Sequence, residues 1–481
     1  VRRVVLLIPL LASCSQTVDH VRPGLPTRDA FPAELAPGGS ALPAPEIPWR
    51  SFLTDPRLQA LIVRALDANR DLRIATARID EARAQFRIAR ADLLPTVDLS
   101  ASARYGNNNF IGGGNGGGGP GVVDPTLPNG GSNGGGNVAG GGGNRYRLNV
   151  EVSAFELDFW GRLRSLGAAA RARYLQTVEA RLAFRISLIG DVADAYLQSL
   201  ELGERLCLTD ATIASRRTSL RLAERLFAEG EGSRLEIAQE VGLLAQAEAD
   251  RALLLEQQAQ AGNLLELLVG EPVGALPPAQ PLDAQRIVAD IPANLPSDLL
   301  NNQPDIRAAE QALRAAYADI GAARAAFFPR IALTGSLGVA SDDLGSLFAS
   351  GPVWSFIPNL LQPLFDAGRN RAGLDLAAAR RVVAVADYER IVQVAFREVA
   401  DALATRRFIA DRLAAQTRFL AAQRDRLRLA ELRFGEGFSA AIDVLDARRE
   451  LFAAEQLVVQ TRRAQLANAV TLYIALGGGV A

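Results

Sequence analysis

The chain has 481 residues and a formal net charge of −1. That length holds two to four ordinary domains or one elongated body, and the charge balance offers no global basic field for nucleic acid. Lysine is absent and histidine occurs once, at His20, which all but removes Ser-His-Asp, Cys-His and histidine-metal chemistry from consideration.

The N-terminus reads VRRVVLLIPLLASCSQ. Arg2 and Arg3 form a charged region before the apolar run Val4 to Leu11, which is too short to span a bilayer as a helix. The pattern predicts a signal peptide over residues 1–13. Its ending, Leu11-Ala12-Ser13-Cys14, resembles the bacterial lipobox, in which the cysteine is acylated and becomes the new N-terminus. An ordinary signal peptide followed by a chance cysteine is the alternative. With lipid on Cys14, residues 14–50 become a lipidated N-terminal tail. Ser15 rather than Asp follows it, which among bacterial lipoproteins favours the outer membrane. Cys207 then has no intrachain partner, and its helical setting reads as a buried or idle thiol.

From Asp71, DLRIATARIDEARAQFRIARADLLP reads as a helix of about six turns ending at Pro95. Val97, Leu99, Ala101, Ala103 and Tyr105 then alternate with Asp98, Ser100, Ser102 and Arg104, a strand with one apolar and one polar face. The glycine-rich tract 107–144 lacks the strand, helix and spacing of a phosphate cradle and has no three-residue period, so it reads as a flexible loop between strands. The next strand alternates through Tyr146, Leu148, Val150, Val152 and Ala154. A very long helix follows, then a glycine turn, FAEGEGSRLE (Phe227 to Glu236), and a returning helix. This first repeat covers residues 51–270, with its strand hairpin at about 96–157. A proline-rich segment, 271–304, reads as irregular chain laid along the body.

Residues 305–478 repeat the plan. Asp71, Arg73 and Pro95 match Asp305, Arg307 and Pro329 at an offset of 234. Gly161, Phe227, Gly230 and Gly270 match Gly368, Phe434, Gly437 and Gly477 at an offset of 207. The difference of 27 residues falls where the glycine-rich tract lies. The second strand hairpin spans about 330–365; Ile331, Leu333, Leu337 and Val339 alternate well, but GPVWSFIPNLLQPLF alternates poorly and its prolines count against a strand. In the second copy Ile306, Leu313 and Ile320, then Tyr388, Val392, Val399 and Leu420, keep coiled-coil spacing. A helix from Arg369 to Phe434 is roughly 100 Å long, too long for a compact globule.

Strands of about ten residues with one apolar face suit a membrane barrel, or a soluble sheet covered on one side by a helix. Four strands cannot close a barrel, and an open edge is not tolerated in lipid. A membrane reading therefore requires several copies, eight strands from two or twelve from three, and the pattern does not choose between them.

LPSDLLNNQPDIRAAEQALRAAYADIGAARAAFFPRIALTGSLG (Leu295 to Gly338), FELDFWGRLR (Phe155 to Arg164) and IDVLDARR (Ile442 to Arg449) resemble the TolC/OprM-type outer membrane factors, in their NodT-like lipoprotein branch. The resemblance covers residues 46 to 478. It implies a mainly α fold with a membrane β-barrel portion. Three protomers would form a long hollow periplasmic α-barrel and, with four strands each, one twelve-stranded outer-membrane barrel. It also implies a passive exit duct, not an enzyme and without a resident metal or cofactor. The duct docks with a periplasmic adaptor (a membrane fusion protein) and an inner-membrane pump, usually of the resistance-nodulation-division type. A type I protein-secretion channel of the same architecture is the alternative. The glycine-rich tract would face the cell exterior and is longer than the usual loop.

The resemblance makes the two glycine turns periplasmic tips that meet the adaptor, at Gly230 and Gly232 and at Phe434 and Gly437. It matches the pore constriction to Ile442, Asp443, Asp446 and Arg449. Helical spacing puts Ile442, Asp446 and Arg449 on one face, and each becomes a ring of three in a trimer. A carboxylate ring favours cations. Arg449 would pair with Asp446 or with a neighbouring protomer. The bland alternative is a solvated helix face. A metal-dependent enzyme built on the two aspartates would lack further ligands, and a coiled-coil scaffold held by lipid alone would not conduct.

Overall fold

The computed structural model describes residues 16, 20–24, 44–105, 145–274, 276–287 and 300–479. The expected signal peptide, Cys14, most of the expected tail and the glycine-rich tract lie outside these. The chain divides into two compact units.

The first unit holds a four-stranded antiparallel sheet in the order β1-β2-β3-β4: β1 Asp98–Arg104, β2 Arg145–Leu157, β3 Arg330–Ser341 and β4 Pro352–Leu361. Side-chain alternation decides its register. One row runs Leu99, Val150, Leu337, Trp354 across all four strands, and a row on the opposite face runs Asp98, Glu151, Ser336, Ser355. Slipping any strand by one residue would mix the two faces. The apolar face lies open, with Leu99 and Trp354 each 72% exposed and Phe356 61%. A contiguous apolar surface of this kind needs a cover.

Two details depart from the sequence pattern. Between Val152 and Phe155 the register shifts, and Ala154 takes a left-handed φ of 49° and donates its N–H to Thr334 Oγ1. One extra residue bulges out of β2, so Phe155 and Leu157, opposite Leu333 and Ile331, continue the apolar face in place of Ala154. The weakly alternating GPVWSFIPNLLQPLF does form a strand: β3 dictates its register, and β4 lies at the sheet edge, where proline is tolerated.

The turns that leave the sheet are built from Asp and Gly. Asp158 accepts the Leu163 and Arg164 amides and Asp366 accepts those of Gly368 and Asn370, while Gly161 and Gly368 take left-handed φ values of 77° and 85°. Trp160 stacks on Phe328 at 4.7 Å and donates its indole N–H to the Pro329 carbonyl.

The second unit is helical. α1 (Trp49–Phe52) and α2 (Pro56–Ala68) precede α3 (Arg70–Ala91), whose last turn belongs to the first unit. α4 (Arg162–Ala228) and α5 (Arg234–Val269) form one hairpin; α7 (Arg369–Gly435) and α8 (Ala441–Ala475) form the other; α6 is Pro304–Ala325. α4 and α7 have 67 residues each, so each is about 100 Å long. The heptad positions Tyr388, Val392, Val399 and Leu420 are buried, whereas Phe434 at the end of the series is exposed. Ion pairs Arg173–Asp319 and Arg307–Glu179 tie α4 to α6, and Arg463–Asp194 ties α8 to α4. Cys207, expected as buried or idle, is a free and exposed thiol on α4.

The main core packs α1 and α2 against α4, α6, α7 and α8. Phe52 stacks on Tyr473 at 4.0 Å. Asp55 caps α2, which begins with Pro56, and its carboxylate accepts from Arg57 N, Tyr196 Oη and Gln285 Nε2. Three bonds satisfy this buried acid and fix the segment that carries Gln285. No helix among the described residues is long and apolar enough to cross a membrane.

Candidate functional site

The two glycine turns share one backbone solution. At the first, Gly230 N–H reaches Phe227 O and Glu231 N–H reaches Leu226 O; at the second, Gly437 N–H reaches Phe434 O and Phe438 N–H reaches Arg433 O. Both are Schellman closures, with left-handed φ of 84° at Gly230 and 77° at Gly437. Gly232 has a different reason to be glycine: a Cβ there would stand 2.8 Å from Phe227 N.

The helices after the turns begin differently. Ser233 and Glu236 form a reciprocal capping box at the start of α5. The 207-residue offset puts Ala440 and Asp443 in their places, and Ala440 provides no side-chain cap. Asp443 is thus the third residue of α8, where a negative charge faces the positive end of the helix dipole.

Ile442, Asp443, Asp446 and Arg449 share one groove of about 490 Å³ with Ala238, Gln239, Gly242 and Leu243 of α5. Asp443 also borders a second groove with Asp425, Arg426 and Arg433 of α7. Asp446 is clamped between Arg449, at 2.6 Å, and Arg426 of α7. Among the described residues Asp443 has no ion-pair partner, so the α8 dipole, not a paired arginine, faces its charge. Ile442 is 51% exposed. The resemblance named these four and helical spacing put Ile442, Asp446 and Arg449 on one face, but neither pointed to Arg426, which lies on the preceding helix.

It also missed a buried charge cluster beside them. Arg216 of α4 and Glu240 of α5 are 6% and 7% exposed. Burial pushes the Glu240 carboxyl up and the Arg216 guanidinium down, each partly offset by opposite charge nearby. Arg448 of α8 supplies part of that charge to Glu240, and it bonds Ser219 of α4 and Glu431 of α7. One arginine therefore joins the two hairpins. The signal was available: Glu240, Ala247, Leu254 and Ala261 are buried at seven-residue spacing, so a carboxylate occupies a seam position.

The chain matches the outer membrane efflux protein family over residues 61–271 and 295–478. It belongs to that family. It is 41% identical to the solvent efflux pump outer membrane protein SrpC of Pseudomonas putida, over 98% of this chain and 96% of that protein. It is 38% identical to the cation efflux system protein CusC of Escherichia coli K12, over 98% and 97%. The open-state outer membrane channel MtrE of Neisseria gonorrhoeae superposes with a TM-score of 0.83 at 35% identity, over 97% of this chain and 99% of that one. A CusC crystal structure does so with a TM-score of 0.82 at 37% identity, over 97% and 100%. This outer membrane efflux protein has a TolC-like fold, mainly helical with a small sheet, resides in the outer membrane and is not an enzyme. Cys14, its expected lipidation site, falls outside the described residues; Gln16 donates its backbone N–H to the Trp160 carbonyl.

Proposed function

We propose that three copies of this efflux protein form a passive exit duct that spans the outer membrane through a twelve-stranded barrel and continues through the periplasm as a helical tube. The reading is carried by the open sheet: one face is apolar and exposed, the other polar, and among the described residues both edges are unpaired. In lipid that sheet must close, and joining copies edge to edge closes it. Lipid on Cys14 would hold the N-terminus at the same membrane. The tips around Gly230, Gly232, Phe434 and Gly437 would dock a periplasmic adaptor, which links the duct to an inner-membrane pump of the resistance-nodulation-division type. Asp443 and Asp446, repeated three times around the tube, would form a cation-favouring constriction with Ile442 and Arg449. SrpC is named for solvents and CusC for cations. We infer that the pump selects the cargo. Both names support efflux over protein secretion.

Purified protein in planar bilayers tests the proposal. Discrete single-channel currents are expected, with cation selectivity reduced by Asp443→Ala together with Asp446→Ala while the trimer persists on native gels. A protein that conducts nothing is not a duct. Unchanged selectivity in the double variant would remove the constriction and leave the duct. Loss of acyl labelling in Cys14→Ser tests the anchor separately.

A further inference from the structure

The β2–β3 junction joins the second strand of the first repeat to the first strand of the second repeat. Closing a ring of copies requires the reciprocal junction: β4 of one copy against β1 of the next. We propose that this junction copies the internal one residue for residue, so that Leu360 faces Ala101, Asn359 faces Ser102 and Pro358 faces Ala103 of the next copy. The inference rests on the ring proposed above and adds its register.

The register follows from the repeat. β1 and β3 correspond at the 234-residue offset that matches Pro95 to Pro329. In the first hairpin Asp98 pairs with Glu151; its counterpart, Ala332, pairs with Asn359. β2 and β4 therefore correspond at an offset of 208. At Gly161 and Gly368 the offset is 207. The one-residue difference is the β2 bulge around Ala154, which β4 lacks. Two independent alignments thus agree once the bulge is counted. Carrying Val152–Gly335, Glu151–Ser336 and Val150–Leu337 across gives the three pairs proposed.

The chemistry of the edges agrees. In this register Leu360 and Ala101 fall on the apolar face, and Asn359 and Ser102 on the polar face. A slip of one residue would put Asn359 beside Ala101 and turn one edge inside out. The internal junction needs a bulge to keep its faces in phase; the junction between copies runs in constant register without one. Both edges are exposed along almost their whole length, as unpaired strands must be.

Cysteine pairs read the register directly. In a Cys207→Ser background, Ser102→Cys with Asn359→Cys and Ser100→Cys with Leu361→Cys are the matched pairs. Exchanging partners gives two pairs displaced by two residues on the same face. Directly opposed Cβ atoms lie about 5 Å apart and displaced ones about 7 Å, so outer membranes oxidised with copper phenanthroline are expected to give about tenfold more cross-linked product from matched pairs, in a ladder ending at three chains. Preference for the displaced pairs, or a native-gel trimer that no pair cross-links, overturns the register and leaves the ring intact. A chain that is monomeric before substitution overturns both. The two matched pairs are independent, so failure of one variant to assemble leaves the other to decide.

Discussion

Arg381 holds its guanidinium 5.8 Å from the centre of the Tyr317 ring, joining α7 to α6. The first repeat makes the same contact with the residues exchanged: Arg83 on α3 lies 5.6 Å over Tyr174 on α4. The repeat offsets pair Arg83 with Tyr317 and Tyr174 with Arg381. The same cation-over-ring contact thus recurs in both repeats with the helices' contributions exchanged. Both guanidiniums stay solvated, so each contact makes a small contribution. Arg83→Leu and Tyr174→Leu should each lower the unfolding temperature in detergent. The exchanged variant Arg83→Tyr with Tyr174→Arg should recover most of the loss. An exchange worse than either single change would show that local surroundings, not the pair, set the preference.

A second consequence of the repeat lies at the tips. Ser233 caps α5 through its hydroxyl, and Ala440 in the matching place cannot. Ala440→Ser should stabilise the α7–α8 turn by about 0.5–1 kcal/mol, seen as slower hydrogen exchange in the first turn of α8. Gly437→Ala should cost about 1 kcal/mol through backbone strain alone, because nothing lies within 4 Å of the added Cβ. Gly232→Ala should cost more, since the new atom meets the Phe227 backbone.

Much of this could be read from spacing. The two long helices, the turns, the three well-alternating strands and the grouping of Ile442 with Asp443, Asp446 and Arg449 follow from periodicity, glycine placement and resemblance. What escaped was set by contacts distant in sequence. β4 takes its faces from β3, so its own weak alternation misleads. Ala154 has a plausible alternating position, yet Thr334 on the neighbouring strand captures its amide. Arg426 approaches Asp446 only because α7 and α8 fold back on each other. Glu240 and the Ser233/Ala440 difference, by contrast, were visible to the same heptad and offset comparisons.

The two aspartates of the proposed constriction should behave differently. Asp446 is compensated by Arg426 and Arg449, whereas Asp443 lacks an ion-pair partner among the described residues. Asp443→Asn should therefore reduce cation selectivity, measured as reversal potential across a salt gradient. Asp446→Asn releases two guanidiniums and should push selectivity towards anions. Its stability cost should stay below about 1 kcal/mol, because all three side chains are partly exposed. Equal selectivity in both variants would contradict the unequal compensation.

Arg448 should control how firmly the hairpins hold together. Arg448→Ala removes bonds to Ser219 and Glu431 and leaves Glu240 with less opposing charge. A loss of about 1.5–3 kcal/mol is expected, with faster exchange in α4 near Ser219. Combining it with Glu240→Ala should be less than additive, since the two share one cluster. The pH dependence has a definite sign. The folded carboxyl of Glu240 is raised, so its burial penalty applies above the ordinary carboxylate range and disappears as pH falls through the raised value. Acidification should therefore shrink the Arg448→Ala deficit.

The segment His20–Gly24 should release from the helical unit in acid. Arg22 pairs with Glu310 at 2.6 Å, Arg314 pairs with the same carboxylate at 2.8 Å, and the His20 ring meets Tyr317 edge-on at 5.6 Å. Burial, reinforced by Arg314, holds the His20 pKa below its usual value. Its contribution is present above about pH 6.5 and is lost as pH falls through the lowered value. At Glu310, burial alone would raise the carboxyl, but the bonds from Arg22 and Arg314 outweigh it and lower the pKa. That contribution is complete above about pH 4.3 and fails as pH drops through the depressed folded value. Both groups thus act in the same direction in successive windows. Hydrogen exchange at Val21, Arg22 and Gly24 should accelerate first below neutrality and again in stronger acid. His20→Phe should remove the first step and Glu310→Gln the second, with Glu310→Gln also loosening the segment at neutral pH. Exchange that does not change with pH in the unsubstituted protein would show that this segment is held by something other than these charges.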